Sequence, residues 1–164
     1  MTGVDAERRE SGVAIGAGRS GDPLDLESQI CFALSVASRS VVAAYRPVLE
    51  PLGLTHPQYL VMLALWQHAP VSGRELSGLL RLDPGTLSPL LKRLEGQGLL
   101  TRERRPDDER ALSISPTPAG AALRREAEGI PVRMMARLGV THDELVVLHR
   151  TMTKLIVAAD AEGV

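Results

Sequence analysis

The sequence predicts a mainly α-helical protein with one small β-hairpin. Apolar residues recur at helical spacing through most of the chain, and capping residues, prolines and glycines separate the periodic stretches. Two short stretches between residues 99 and 115 have the pattern of strands on either side of a polar turn. The length of 164 residues fits one compact domain, or one domain with an element that needs a partner.

The composition excludes several classes of protein. One cysteine cannot form an intramolecular disulfide or a four-cysteine zinc site. A net charge of −1 excludes a uniformly basic nucleic-acid binder, although not a local basic patch. The chain begins with charges and glycines rather than an apolar export signal, and its longest apolar stretch is far shorter than the ~20 residues of a membrane span. We therefore expect a cytoplasmic protein.

The two ends and the first helix follow from local composition. Residues 1–23 mix glycine, serine and charge without periodicity, which predicts a disordered N-terminal tail, and residues 161–164 are expected to form a short C-terminal tail. From Leu24 an apolar stripe with helical spacing continues to Tyr45. Pro47 and Pro51 predict that this first helix ends there.

Three further helices are predicted between residues 55 and 98. Their N-caps are Thr55, Ser72 and Asp83, and Glu75 completes a capping box with Ser72. Pro70 ends the first of the three, and glycines at 96 and 98 end the last. Residues 99–105 and 110–115 are then predicted to be strands joined by a polar turn at 106–109.

Two more helices follow the hairpin, at 118–138 and 142–160. Thr117 caps the first, and Thr141 with Glu144 forms a capping box for the second. Two short helices followed by a two-stranded hairpin is the order of a winged helix-turn-helix, here within residues 55–116. The helices at 24–46 and 118–160 are apolar beyond what that lobe needs, which predicts a dimerisation region within a domain spanning 24–160.

The predicted second helix of the helix-turn-helix carries candidate DNA-binding side chains. The residues expected on its outer face are Thr86, Ser88, Lys92 and Arg93, while leucines form its inner face. The hairpin adds the arginines Arg102, Arg104, Arg105 and Arg110, which suit a narrow minor groove. Residues 72–105 hold seven basic and four acidic side chains, a local charge of +3. Amphipathic helices and hairpins also place charges outside for solubility alone, so the charge by itself leaves both interpretations open.

A family resemblance strengthens the DNA-binding interpretation. The stretch LDPGTLSPLLKRLEGQGLLTRERRPDDERALSISPTPAG resembles the core of the MarR family of winged-helix repressors. By that resemblance, Arg110 of the DER motif enters the minor groove and Asp108 orients it. The upstream motifs QICFALSVASR and LTHPQYLVMLALW are similar to the OhrR branch, which senses organic hydroperoxides. The resemblance covers residues 26–158.

The same resemblance implies that Cys31 is the peroxide-reactive residue and that Tyr45 supports its thiolate. A lone cysteine is otherwise most often a small buried hydrophobe. Family members usually have a second tyrosine where this chain has His56, which could donate one hydrogen bond, stabilise a thiolate as a cation, or serve only as a turn residue. Ser35 also replaces a tyrosine that is common in the branch.

Helix geometry constrains this site. Tyr45 follows Cys31 by fourteen residues, which is about 21 Å along one continuous helix at ~1.5 Å per residue. A site that contains both side chains therefore requires Tyr45 from an antiparallel partner subunit. A two-fold dimer would also present two recognition helices to a palindromic operator.

The sequence thus predicts a homodimeric repressor, not an enzyme, with no cofactor or metal, that leaves its palindromic operator when an organic hydroperoxide oxidises Cys31. With no second cysteine, a low-molecular-weight thiol would complete a mixed disulfide. A first alternative is a repressor released by a small phenolic or lipophilic acid, with Cys31 in a structural role. A second alternative is an enzyme resembling thiol peroxidases. His142 and His149 lie seven residues apart, which fits a solvated helix face better than a metal site.

Overall fold

The computed structural model describes residues 24–105 and 108–161, and the chain divides after Ala43 into two compact units. The predicted tails, residues 1–23 and 162–164, lie outside the described residues. The helices are α1 (Ile30–Leu49), α2 (His56–His68), α3 (Gly73–Leu80), α4 (Pro84–Gly96), α5 (Pro118–Ala127), α6 (Ile130–Leu138) and α7 (His142–Ala161). The strands are β1 (Val71–Ser72), β2 (Leu100–Arg105) and β3 (Asp108–Pro116). The prediction of a mainly α protein with a small β wing is confirmed.

The first unit contains the beginning of α1. A 3-10 turn at Leu26–Ser28 precedes the helix, closed by a 3.0 Å hydrogen bond from the Ser28 N–H to the Asp25 carbonyl. The prediction that the helix starts near Leu24 is therefore wrong, because these residues form a tighter turn before Ile30. As a consequence, Cys31 lies in the first turn of α1.

The predicted end of the first helix is also wrong. Pro47 lies inside α1, which continues to Leu49. Proline removes one helical hydrogen bond, the one to the carbonyl four residues earlier. Leu49 has no exposed surface and packs in the core of the second unit, so burial of the last turn offsets that loss.

The predicted helix caps of the second unit are present. The Ser72 hydroxyl accepts from the Glu75 N–H at 3.2 Å, and the Glu75 carboxylate accepts from the Ser72 N–H at 2.7 Å. The Asp83 carboxylate accepts from the Thr86 N–H at 2.9 Å. Thr55 precedes α2 with extended backbone angles. The Ser72 and Asp83 caps satisfy N–H groups that have no partner within their helices, and so they fix where α3 and α4 begin.

The hairpin belongs to a three-stranded antiparallel sheet in the order β1-β3-β2. Leu100 pairs with Pro116 and Arg102 with Ile114 across the wing, while Val71 of β1 pairs with Ile114 on the other side. The sequence did not predict β1, because two residues are too few to show an alternating pattern. Val71 and Ile114 are both buried, so β1 ties the wing to the start of α3.

A single apolar core fills the second unit. It is formed by buried side chains from α1 to α6 and the sheet, including Leu49, Val61, Met62, Leu65, Leu76, Leu87, Leu91, Leu94, Leu100, Ile114 and Ile130. Burial of large aliphatic side chains is the main favourable term in folding. This core holds α4 and the wing in fixed positions in the lobe.

The predicted helix at 118–138 is two helices, α5 and α6. Gly129 caps α6, and Pro131 lies in the first turn of that helix, where a backbone N–H has no partner within the helix. In one continuous helix, Pro131 would remove a hydrogen bond, so the chain forms two helices instead. The capping box of α7 is present, with the Thr141 N–H donating to Glu144 at 2.8 Å. No residue of α7 is buried.

Candidate functional site

Helix α4 presents a polar outer face above an apolar inner face. Leu87, Leu91 and Leu94 point into the core. The predicted DNA-binding residues of this helix, Thr86, Ser88, Lys92 and Arg93, are all exposed. The core therefore fixes the helix through its leucines and leaves these four side chains on its solvent-facing flanks.

Thr86 is held in place at the N-terminus of α4. Its hydroxyl donates to the Asp83 carboxylate at 2.5 Å, in addition to the backbone cap. These hydrogen bonds from Thr86 hold the pKa of Asp83 below its ordinary value. Because the Thr86 N–H is used by the cap, the hydroxyl oxygen is the group of this residue that can still accept a hydrogen bond from DNA.

An ion pair fastens the wing to the C-terminal end of α4. The Arg102 guanidinium on β2 donates to the Glu95 carboxylate, with its Nε at 3.1 Å. These hydrogen bonds lower the pKa of Glu95 and raise that of Arg102. The sequence did not predict this pair, since nothing in its pattern aligns a helix residue with a strand residue seven positions later.

The remaining wing residues are only partly described. Arg104 is exposed on β2. The backbone pairs Arg105 with Asp108, next to a register shift after Arg104, while Arg110 lies on β3. The side chains of Arg105, Asp108 and Arg110 lie outside the described residues, so their roles stay predictions.

Cys31 is an exposed free thiol in this chain. In the single chain, Cys31 is therefore not the small buried hydrophobe that a lone cysteine most often is. The exposed thiol lies in the first turn of α1, where helix N–H groups and the helix dipole favour negative charge.

Tyr45 and His56 contact each other. Their ring centroids lie 4.9 Å apart at an angle of 59°, and both side chains are half-buried. Burial raises the pKa of Tyr45 and lowers that of His56. A neutral His56 can donate one hydrogen bond, so the idea that it stabilises a thiolate as a cation loses support at neutral pH. The predicted thiolate-supporting residues are thus neighbours.

A third ring, Tyr59, completes this cluster. Its centroid lies 6.0 Å from that of Tyr45, and only 4% of its surface is exposed. Burial, and secondarily the neighbouring Tyr45, raises its pKa. The sequence did not identify Tyr59 as a site residue. Its spacing of three residues from His56 places the two rings on one helix face but does not indicate that Tyr59 contacts Tyr45.

Two cavities adjoin these elements. A small cavity of about 170 Å³ lies between α2 and α5, with Tyr59, Trp66, Arg124 and Glu128 in its lining. A larger cavity of about 560 Å³ lies beside α4 and has a mostly apolar lining that includes Leu87. Within residues 24–105 and 108–161, no cluster of three or more histidine, cysteine or acidic side chains could hold a metal ion, and no helix could cross a membrane.

Comparisons with known proteins match this arrangement. The MarR family model matches residues 54–112. The organic hydroperoxide resistance transcriptional regulator of Bacillus subtilis (strain 168) is 46% identical over 110 residues, which cover 67% of this chain and 75% of that protein.

Solved structures of DNA-bound regulators are also similar. A structure of overoxidized AbfR bound to DNA has 30% identity and a TM-score of 0.63, covering 81% of this chain and 94% of that one. The repressor CouR, bound to a 23-mer DNA duplex, has 25% identity and a TM-score of 0.75, covering 84% and 99%.

These matches are to transcriptional regulators, which confirms the prediction that the chain is not an enzyme and overturns the thiol-peroxidase alternative. The matched family model spans the helix-turn-helix and most of the wing, and the similarity to the Bacillus regulator extends beyond it. The chain therefore belongs to the MarR family of transcriptional regulators.

Proposed function

We propose that this regulator is a homodimer that binds a palindromic operator and releases it when an organic hydroperoxide oxidises Cys31. The observation that carries the redox part is the exposed Cys31 thiol in the first turn of α1, in a chain 46% identical to an organic hydroperoxide resistance regulator. The Tyr45–His56 pair supplies hydrogen-bond donors of the kind that stabilise a thiolate.

The DNA-binding part rests on α4 and the wing. Four exposed polar or basic side chains lie on α4, and the wing is fixed to that helix by the Glu95–Arg102 pair. AbfR and CouR are both bound to DNA in structures similar to this fold. We therefore assign base and phosphate contacts to Thr86, Ser88, Lys92 and Arg93, and groove contacts of the wing to Arg104, Arg105 and Arg110, with Asp108 orienting Arg110.

The dimer is supported by apolar surface outside the core. Helices α6 and α7 expose large apolar side chains, namely Val132, Leu138, Val146, Val147, Leu148, Leu155, Ile156 and Val157. Burying such side chains against a second copy removes apolar surface from water. Since α1 is continuous, the fourteen residues from Cys31 to Tyr45 span about 21 Å, so the Tyr45 that supports the Cys31 thiolate comes from the partner subunit of the proposed dimer.

The proposed reaction at Cys31 is a two-electron oxidation of its sulfur by the hydroperoxide. The Cys31 thiolate attacks the terminal oxygen of the hydroperoxide, the S–O bond forms, the O–O bond breaks, and the released alkoxide takes a proton to become an alcohol. The resulting sulfenic acid condenses with a low-molecular-weight thiol to give a mixed disulfide and water. The new bulk at the subunit interface then shifts the two recognition helices away from the spacing of the operator.

The test is operator binding by the reduced protein before and after cumene hydroperoxide, with and without added cysteine. The operator is a duplex selected from a random pool by the reduced protein. We expect release in the presence of the thiol, and a Cys31→Ser protein that binds but is not released. Release of Cys31→Ser under the same treatment would refute the role of Cys31. Overoxidized AbfR is bound to DNA in its structure. In the experiment without added thiol, intact mass therefore identifies the oxidation state of Cys31, and those samples are interpreted separately.

The small cavity favours a second candidate function, release by a small aromatic acid. Its lining combines Trp66, which can stack on a ring, with Arg124, which can pair with a carboxylate. Trp66 is the one tryptophan of the chain, so its fluorescence reports occupancy. Saturable quenching by benzoate, followed by release of the operator from Cys31→Ser, would establish this function; no quenching would exclude the cavity as its site.

A further inference from the structure

Tyr45 is flanked by two rings from the first turns of α2. His56 and Tyr59 are three residues apart, which places them on the same face of that helix. Their centroids lie 4.9 Å and 6.0 Å from that of Tyr45. The orientation of Tyr45 is therefore set by contacts with α2 as well as by its own helix.

The two flanking rings differ in how firmly they are held. Tyr59 is 4% exposed and belongs to the apolar core, together with Val61 and Met62 of the same helix. His56 is only half-buried. Close packing in a core restricts a side chain to one arrangement, so Tyr59 is the fixed ring against which Tyr45 rests.

The Tyr45 hydroxyl remains available for a new hydrogen bond. In the part of the chain that the structure describes, Tyr45 makes ring contacts but no side-chain hydrogen bond, and burial is the cause of its raised pKa. A hydroxyl that is already oriented and not yet paired can donate to an incoming group without first breaking a bond.

We propose that Tyr59 is a positioning residue for the peroxide reaction, holding the Tyr45 ring so that its hydroxyl donates to the Cys31 thiolate of the opposite subunit. The proposal rests on the proposed function. Tyr59 takes no chemical part in the reaction. The S–O bond forms at Cys31 as the O–O bond of the hydroperoxide breaks, and Tyr45 stabilises the attacking thiolate.

The experiment measures the second-order rate constant of Cys31 oxidation by cumene hydroperoxide in the full-length reduced protein, by intact mass after timed quenching. Tyr59→Leu is expected to lower it roughly tenfold, the scale of one lost hydrogen bond to a charged group. The pH profile of Cys31 alkylation by iodoacetamide is expected to move to higher pH. Tyr59→Phe keeps the ring and is expected to react like the wild type.

A double-mutant cycle separates positioning from general destabilisation. In a Tyr45→Phe background, which removes the hydroxyl, Tyr59→Leu is expected to cause no further loss of rate. Met62→Ala is the matched control, since this fully buried residue lies on the same helix and in the same core as Tyr59 but carries no ring. It is expected to lower stability and leave the oxidation rate unchanged.

Four outcomes overturn the proposal. An equal loss from Tyr59→Leu in both backgrounds assigns it a purely structural effect, and an equal loss from Met62→Ala does the same. A Tyr59→Phe protein as slow as Tyr59→Leu assigns the effect to the Tyr59 hydroxyl instead. If Tyr45→Phe alone oxidises at the wild-type rate, the thiolate-supporting role within the proposed function fails as well, so the two failures are distinguishable.

Discussion

The close approach of α5 to the Leu99 backbone predicts that Gly120→Ala destabilises the protein strongly. A Cβ at Gly120 would lie 1.9 Å from the Leu99 carbonyl oxygen, so α5 or the Leu99 backbone must move by about 1 Å to reach even a tight contact. That carbonyl accepts from the Thr117 N–H at 3.1 Å, and the Gly120 carbonyl accepts from the Trp66 indole at 2.9 Å. Both hydrogen bonds would be strained by the movement.

The magnitude follows from these contacts. Overpacking costs about 1–3 kcal/mol and each weakened hydrogen bond about 1 kcal/mol, so we expect a loss of about 3–5 kcal/mol in the free energy of unfolding. Urea unfolding at fixed protein concentration measures it, as a midpoint lower by about 2 M at a slope of ~2 kcal/mol per M.

A matched glycine provides the control for this prediction. A Cβ at Gly78, in α3, would meet no atom within 4 Å, so Gly78→Ala should be neutral or stabilising by about 0.5–1 kcal/mol. A Gly120→Ala protein with the midpoint of the wild type would show that α5 does not pack against Leu99 as described.

Three further predictions concern pH and DNA. Burial lowers the pKa of His56 in the folded protein, so the unfolded chain binds a proton at this residue more readily. The free energy of unfolding is therefore unaffected by this group well above the ordinary pKa of 6.5 and decreases as the pH falls through that value. The urea midpoint should drop between about pH 7.5 and pH 5.5 by more in the wild type than in His56→Tyr. Glu95→Gln weakens the tie from α4 to Arg102 of the wing, so operator affinity measured by fluorescence anisotropy should fall while affinity for nonspecific DNA changes little; an unchanged operator affinity would contradict a role for this pair. Arg110→Ala should cost about 1–3 kcal/mol of operator binding if it enters a groove, and equal affinities of mutant and wild type would remove that assignment.

Much of the fold could be predicted from local signals. Capping residues mark real helix starts at Ser72, Asp83 and Thr141, because each supplies an oxygen to N–H groups that have no partner within the helix. The order of helices and hairpin followed from those starts. The end of α1 could not be predicted, because burial of Leu49 two residues beyond Pro47 is a tertiary effect.

The candidate site was predicted unevenly for a similar reason. The resemblance to the OhrR branch pointed to Cys31, Tyr45 and His56, and the structure brings the last two together. The contact of Tyr59 with Tyr45 and the ion pair of Glu95 with Arg102 depend on how α1, α2, α4 and β2 pack. No spacing in a single sequence encodes such packing.

The most direct test of the account compares two quantities in one sample during a substoichiometric titration with cumene hydroperoxide and cysteine. Intact mass gives the fraction of Cys31 present as the mixed disulfide, and anisotropy of a labelled operator duplex gives the fraction of DNA released. We expect DNA release to rise together with modification of Cys31 and to reverse when dithiothreitol removes the adduct. Complete modification of Cys31 with the operator still bound would contradict it.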